Sequence, residues 1–106
     1  METSSNRIPT VWLVSYDRRR DYSAADAYGN VRHVFSSIGR DYDGSAAIAH
    51  ARNVLQDYYP DDYIVMSGDP ALCSICVTVA AELRGTCLLL RWDKNKLSYS
   101  KLRLNF

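Results

Sequence analysis

Apolar runs alternate with amphipathic stretches along the chain, and this alternation predicts strands separated by helices. Residues 8–15 and 31–36 are rich in β-branched and aromatic side chains and predict the first two strands. Between them, Ser23 and Asp26 resemble a capping box, in which the serine oxygen caps the first free N–H groups, and Gly29 ends a short helix. A polar loop over residues 39–44 follows the second strand.

The middle of the chain predicts a helix, a strand and a second long helix. Residues 45–58 are amphipathic, with apolar side chains at helical spacing and polar side chains on the opposite side. Residues 63–66 form a continuous apolar run, which is typical of a central strand buried on both faces. The next helix is expected to begin at Pro70, with Asp69 as its cap, and to end at Gly85.

The end of the chain predicts a hairpin, with a strand over residues 86–92, a polar turn over 93–96 and a last strand over 97–106. The apolar residues of the last strand change parity after Tyr99, so we expect a bulge near Ser100 or Lys101. The predicted fold is a small Rossmann-like three-layer α/β sandwich, with a mostly parallel sheet of about five strands and a C-terminal antiparallel hairpin. We expect one domain over residues 8–106, after a flexible N-terminus over residues 1–7.

The composition is that of a soluble globular protein, with 24% charged residues, 47% hydrophobic residues and a net charge of +1. The longest apolar stretch, residues 75–83, is interrupted by Thr78 and Glu82 and is far shorter than the roughly 20 residues that span a bilayer. The first residues are polar and lack the basic and apolar regions of a secretory signal. We therefore expect a cytoplasmic protein with no membrane contact.

Three cysteines raise the question of redox or metal chemistry. Cys73 and Cys76 have the C-x-x-C spacing of a redox motif or half a zinc site, but no second ligand pair accompanies them. The apolar surroundings of these two residues and of Cys87 favour buried, reduced thiols that fill space. We expect no metal and no cofactor.

The helix that carries these cysteines has unusually little polar surface. Ser74, Thr78 and Glu82 form one narrow stripe, and apolar residues occupy the rest of the cylinder. Either the helix is wedged between the sheet and a neighbouring helix, or part of it contacts a partner or a second copy of the chain. The candidate interface residues in the second case are Cys73, Cys76, Val77 and Ala80.

Polar residues follow the first and third predicted strands, where open α/β sheets bind ligands. If these strands are neighbours, their ends meet across one crevice. The candidate ligand-binding residues are Ser15, Tyr16, Asp17, Ser67, Gly68 and Asp69. A helix N-terminus there suits a small anion, whereas a single glycine and a carboxylate at Asp69 favour simple helix capping. The sequence contains no set of residues that identifies a catalytic site.

Two groups of basic residues suggest contact with an anionic partner. Residues 18–20 are three consecutive arginines, and the chain from Thr86 onward holds five bases and one acid. Short charge runs are usually solvated, and lysines on edge strands prevent aggregation. We expect no binding to nucleic acid at physiological salt, because the whole chain is nearly neutral.

The segments 62–68 and 88–93, with Tyr99 shortly after, resemble small uncharacterised proteins of tailed bacteriophages, and so do segments 11–15 and 20–25. The resemblance implies a viral origin and a place in the cytoplasm of a bacterial host. Our first hypothesis is a phage accessory protein that binds a host or phage protein without catalysis, as a homodimer. The alternative is a Rossmann-like domain that binds a nucleotide or phosphate ligand in the strand-end loops, with weak hydrolysis as a further option.

Overall fold

Five strands form one sheet in the computed structural model, which describes residues 7–17, 20–36 and 41–106. The strands are β1 (Thr10–Ser15), β2 (Asn30–Phe35), β3 (Tyr63–Val65), β4 (Thr86–Asp93) and β5 (Ser98–Asn105). The helices are α1 (Gly44–Val54) and α2 (Pro70–Arg84), and short 3₁₀ helices cover Ser23–Tyr28 and Leu55–Asp57. The strand order is β2-β1-β3-β4-β5, and only β5 is antiparallel to its neighbour. The predicted mostly parallel α/β sheet with a C-terminal hairpin is confirmed.

The two faces of the sheet are covered in different ways. Helices α1 and α2 pack against each other and close one face over Trp12, Ile64 and Leu89. On the opposite face, within the described residues, the 3₁₀ helix Ser23–Tyr28 places Ala25 against Val11 and neighbouring residues. Tyrosine rings extend this thin third layer. The sheet is therefore buried on both sides, which explains the continuous apolar run at β3.

The predicted bulge in the last strand is wrong. Strands β4 and β5 pair in continuous register from Thr86 opposite Asn105 to Asp93 opposite Ser98. The change of parity has another cause, because both faces of this strand meet apolar clusters. Leu104 packs on the face covered by the helices, and Tyr99 packs on the other face.

Local signals fix most helix ends. As predicted, Asp69 caps α2 by accepting a hydrogen bond from the Ala71 N–H at 2.8 Å, and Gly85 ends the helix in the left-handed region at φ 70°. The predicted serine cap of the first short helix is wrong, since the Ser23 N–H donates to Asp21 Oδ1 at 2.9 Å. The amphipathic segment predicted over 45–58 becomes α1 followed by the 3₁₀ turn Leu55–Asp57.

A buried carboxylate ties together the amino-terminal ends of β1 and β3. Asp62 is fully buried and accepts hydrogen bonds from the N–H groups of Thr10 at 2.9 Å and Tyr59 at 3.0 Å. The Trp12 indole N–H donates to the same carboxylate at 3.4 Å. Arg7, placed in the flexible N-terminus by the sequence, forms an ion pair with it at 2.8 Å, while residues 1–6 lie outside the described residues. One charge thus receives four partners at this end of the sheet.

Candidate functional site

A crevice of about 1340 Å³ opens at the carboxyl ends of β1, β3 and β4. The strand order reverses between β1 and β3, which is the place where ligands bind to open α/β sheets. The crevice is lined by all six ligand-binding candidates, Ser15, Tyr16, Asp17, Ser67, Gly68 and Asp69, together with Arg20, Asp21, Tyr22, Tyr42, Val65, Met66, Pro70, Leu72, Arg91, Trp92, Lys94 and Tyr99. Of the predicted arginine run, Arg18 and Arg19 lie outside the described residues.

The two serines of the candidate site hold its walls together. The Ser15 hydroxyl donates to the Ser67 carbonyl oxygen at 3.1 Å and accepts from the Asp69 N–H at 3.3 Å. The Ser67 hydroxyl accepts from the Ser15 N–H at 3.4 Å. Both side chains are buried. Their hydrogen-bonding capacity is therefore spent on joining the ends of β1 and β3 rather than turned toward a ligand.

Gly68 allows these two strand ends to approach each other. Its backbone lies in the left-handed region at φ 78°, and a Cβ atom at this position would come within 1.8 Å of the Ser15 hydroxyl oxygen. Only glycine fits without a shift of the neighbouring loop. This glycine thus serves close packing between two loops, which differs from the role of a glycine that cradles phosphate.

The start of α2 uses its own polar groups. Asp69 Oδ1 accepts from the Ala71 N–H, and Oδ2 accepts from the Tyr42 hydroxyl at 3.1 Å. The Asp69 N–H is taken by Ser15, and Pro70 has no N–H to offer. Capping, the simpler of the two interpretations of this segment, accounts for these contacts.

The charged side chains that line the crevice differ in whether they form hydrogen bonds or ion pairs with other residues. Asp17 lies 3.7 Å from the Arg20 guanidinium, and Asp21 accepts from the Ser23 N–H, a bond that lowers the pKa of Asp21. The third carboxylate, Asp69, is the helix cap. In contrast, Arg91 and Lys94 have no hydrogen bond or ion pair within the described part of the chain. Two cations without a direct partner in the described residues therefore line the crevice.

Sequence reasoning counted Arg91 and Lys94 among the bases of the hairpin but did not assign them to the site. The signal that could have located them is their position, because both lie at the carboxyl end of a parallel strand next to β3.

Aromatic side chains supply much of the remaining wall. Tyr16 is 55% exposed and Trp92 is 42% exposed. The Trp92 ring meets Tyr99, its cross-strand neighbour, edge to face at a centroid distance of 5.1 Å. Tyr22 lies 5.9 Å from Tyr16, and its hydroxyl oxygen is buried with no hydrogen-bond partner among the described residues. Burial raises the pKa of Tyr22.

Most of the candidate interface on α2 lies inside the protein. Cys73, Cys76 and Ala80 are buried between the helix and the sheet, and only Val77 remains partly exposed. Helix α2 lies between the sheet and α1, as in the first of the two alternatives. Its polar stripe contacts α1 where Arg52 and Glu82 form an ion pair at 3.1 Å. The first three residues are therefore unable to form a contact surface.

The thiols fit the role of small apolar fillers. Burial raises the pKa of Cys73 to about 11, of Cys76 to about 12 and of Cys87 to about 11, so all three are protonated at neutral pH. All three are free. Within the described residues no group of His, Cys, Asp and Glu could hold a metal ion, and no helix is long and apolar enough to cross a membrane.

One comparison with known proteins gives a match. The family model described as Phage Pam3 gp32-like protein matches residues 14–106. No curated protein and no solved structure matches the chain. The matched region includes every residue that lines the crevice.

Proposed function

The chain belongs to the Phage Pam3 gp32-like family, and we propose that it acts as a non-enzymatic binding protein whose strand-end crevice takes a small anionic ligand. Membership confirms the resemblance to phage proteins. The proposal is supported mainly by the unequal engagement of charges, since the three acids have partners while Arg91 and Lys94 have none in the described residues. An anion that enters this crevice gains two cations without having to break an existing ion pair.

The proposed role is binding without chemistry. A nucleophilic serine needs a base within hydrogen-bond reach, whereas the Ser15 hydroxyl donates to a backbone carbonyl. The Nε2 atom of His50 bonds to the Val34 carbonyl oxygen at 2.6 Å, and His33 lies beside the Tyr16 ring. Neither histidine bonds to a serine of the crevice. These contacts favour binding over the weak hydrolysis considered from the sequence.

A thermal-shift series with inorganic pyrophosphate tests the proposal. A ligand at 100 times its dissociation constant stabilises the fold by about 2.7 kcal/mol, which raises the Tm of a domain of this size by about 10 °C. We expect the shift to disappear in the double variant Arg91→Ala and Lys94→Ala. Lys96→Ala is the control for the loss of a lysine, because it removes one positive charge from the turn that holds Lys94 but does not line the crevice.

The outcomes of this series are distinct. A shift that persists in the double variant would place the anion elsewhere on the molecule. A lack of any shift with pyrophosphate or with a nucleotide panel, at low ionic strength and up to millimolar concentration, would refute anion binding in this crevice. Low ionic strength matters because salt screens exposed charges over about 10 Å at 0.1 M.

A protein partner is the second candidate for this surface, and the exposed side chains at the rim favour it. Tyr16, Met66 and Trp92 are each at least 39% exposed, and these residue types dominate the energetics of protein interfaces. A host or phage protein, or a second copy of the chain in the proposed homodimer, would bury them. Multi-angle light scattering tests the dimer, and a Met66→Asp variant that leaves the measured mass unchanged would argue against this surface as the dimer contact.

A further inference from the structure

We propose that the ligand of the crevice is a nucleotide, whose base stacks on Trp92 and whose phosphates are held by Arg91 and Lys94. This inference rests on the proposed function as an anion-binding protein and names the class of anion. In this mode of binding, side chains rather than the amides of a helix N-terminus hold the phosphates.

The stacking surface is the Trp92 indole. Its edge-to-face contact with Tyr99 fixes the orientation of the ring, and Tyr99 is held in turn by Tyr28 at a centroid distance of 6.1 Å. The indole nevertheless remains 42% exposed at the crevice, so one aromatic surface is fixed and unoccupied. A base stacked on an aromatic side chain contributes about 1–3 kcal/mol. A phosphate without a ring would leave this surface unused.

The two cations belong to the same hairpin. Arg91 precedes Trp92 at the end of β4, and Lys94 follows in the turn. Asp93 Oδ1 orders that turn by accepting from the N–H groups of Asn95 at 2.9 Å and Lys96 at 3.2 Å. The aromatic surface and both charges thus lie on one short, ordered segment.

The start of α2 offers little to a phosphate. Ser15 and Asp69 occupy the N–H groups of Asp69 and Ala71, and the Asp69 carboxylate stands at the helix terminus. A phosphate at that point would meet the negative charge of the Asp69 carboxylate. The phosphates are therefore expected on the β4 side of the crevice, with a steep dependence of affinity on salt.

The Tyr22 hydroxyl supplies a donor. It lies in the crevice wall, and its proton has no acceptor among the described residues. Its raised pKa keeps it protonated at neutral pH. A ring nitrogen or exocyclic oxygen of a base that reaches this hydroxyl would satisfy it. Every nucleobase carries such an acceptor.

Isothermal titration with ADP, GDP, CDP and UDP, and in parallel with pyrophosphate, tests the inference. We expect at least one nucleotide to bind 10-fold or more tightly than pyrophosphate. Trp92→Leu should reduce nucleotide affinity to the level of pyrophosphate and leave pyrophosphate affinity unchanged, while Trp92→Phe should retain part of the difference. Lys96→Ala serves again as the control for charge.

A Tyr22→Phe variant separates binding from stability. Removing an unsatisfied hydroxyl should leave the Tm unchanged or raise it, while nucleotide affinity falls about 5-fold and pyrophosphate affinity does not change. Equal effects on both ligands would overturn the role of this hydroxyl.

Two results would overturn the nucleotide inference in different ways. If pyrophosphate binds as tightly as every nucleotide, or if Trp92→Leu binds nucleotides like the parent protein, the crevice binds anions but does not recognise a base. If neither pyrophosphate nor any nucleotide binds, anion binding itself is refuted together with the inference.

Discussion

The two ends of the sheet differ in whether their charged side chains have hydrogen-bond or ion-pair partners. At the amino-terminal end, the fully buried Asp62 receives four partners. At the carboxyl end, the exposed cations Arg91 and Lys94 face a crevice of about 1340 Å³ without partners among the described residues. The comparison indicates that polar contacts secure the fold at one end, while the other end carries an open crevice.

The largest expected effect comes from removing the buried carboxylate. Asp62→Ala should lower the free energy of unfolding by about 3–5 kcal/mol, because it leaves buried N–H donors of Thr10, Trp12 and Tyr59 unsatisfied. Chemical denaturation monitored by circular dichroism measures this loss. Asp61→Ala is the control, since Asp61 is 60% exposed and an exposed ion pair contributes less than about 1 kcal/mol.

The double variant Arg91→Ala and Lys94→Ala at the other end should change stability by less than about 1 kcal/mol. A loss comparable with that of Asp62→Ala would show that both ends secure the fold, and the contrast between them would fail.

The second prediction tests how tightly the crevice floor is packed. Gly68→Ala should cost about 2 kcal/mol or more, from the left-handed backbone and from the approach of its Cβ to the Ser15 hydroxyl. Gly85→Ala has a similar φ of 70° with open space around it, so its cost should be only about 1 kcal/mol.

Adding Ser15→Ala should recover part of the loss in Gly68→Ala, because the nearest atom is then gone. Urea unfolding of the two single variants and the double variant gives the coupling energy. Strict additivity of the two substitutions would contradict the close contact.

The third prediction concerns how completely water is excluded from the protein interior near each end of the sheet. It follows from the pKa values of the buried thiols. Cys73 lies under the crevice, where its Sγ donates to the Ser67 carbonyl, and Cys87 lies near the start of β4. Burial raises the pKa of each to about 11, whereas an unfolded thiol titrates near 8.5. Between these values the unfolded chain binds fewer protons than the folded chain, so stability falls as pH rises and is unaffected below about pH 8.

Each thiol should contribute about 1.4 kcal/mol per pH unit to this alkaline slope. Cys73→Ala and Cys87→Ala should therefore flatten the dependence of unfolding free energy on pH by equal amounts between about pH 9 and pH 11. Urea unfolding under reducing conditions measures it. A smaller change for Cys73→Ala would mean that water reaches beneath the crevice.

The smallest expected effect is on tryptophan fluorescence. One tryptophan lies at each end of the sheet. Trp12 is fully buried and bonds to Asp62, while Trp92 is 42% exposed. Acrylamide should quench the emission of the parent protein several-fold more strongly than that of Trp92→Phe, which retains only Trp12. Equal quenching of the two proteins would contradict the closed state of the amino-terminal end.

The position of the crevice could be predicted from the sequence, because the wall formed by the ends of β1 and β3 depends on local signals. The apolar runs of β1 and β3 and the cap at Asp69 are each visible within a few residues, and the adjacency of two parallel strands brings Ser15 and Ser67 together. The roles of these serines were not predictable, since their partners lie across the fold.

Two further features escaped the sequence for the same physical reason. The role of Asp62 has no local signal, because three of its partners, Arg7, Thr10 and Trp12, come from a distant strand and the segment before it. The predicted bulge in β5 is wrong because the prediction assumed that the apolar residues of this strand face one side of the sheet. Both faces of the strand meet apolar clusters.

The contact between Gly68 and Ser15 also bears on how this family can diverge. A relative that carries a side chain at the position of Gly68 would need glycine or a displaced backbone at the position of Ser15, because both sites compete for the same space. We therefore expect these two positions to change together across related phage genomes. Covariation between them would record, in inherited sequence, a contact that the single chain reveals only in three dimensions.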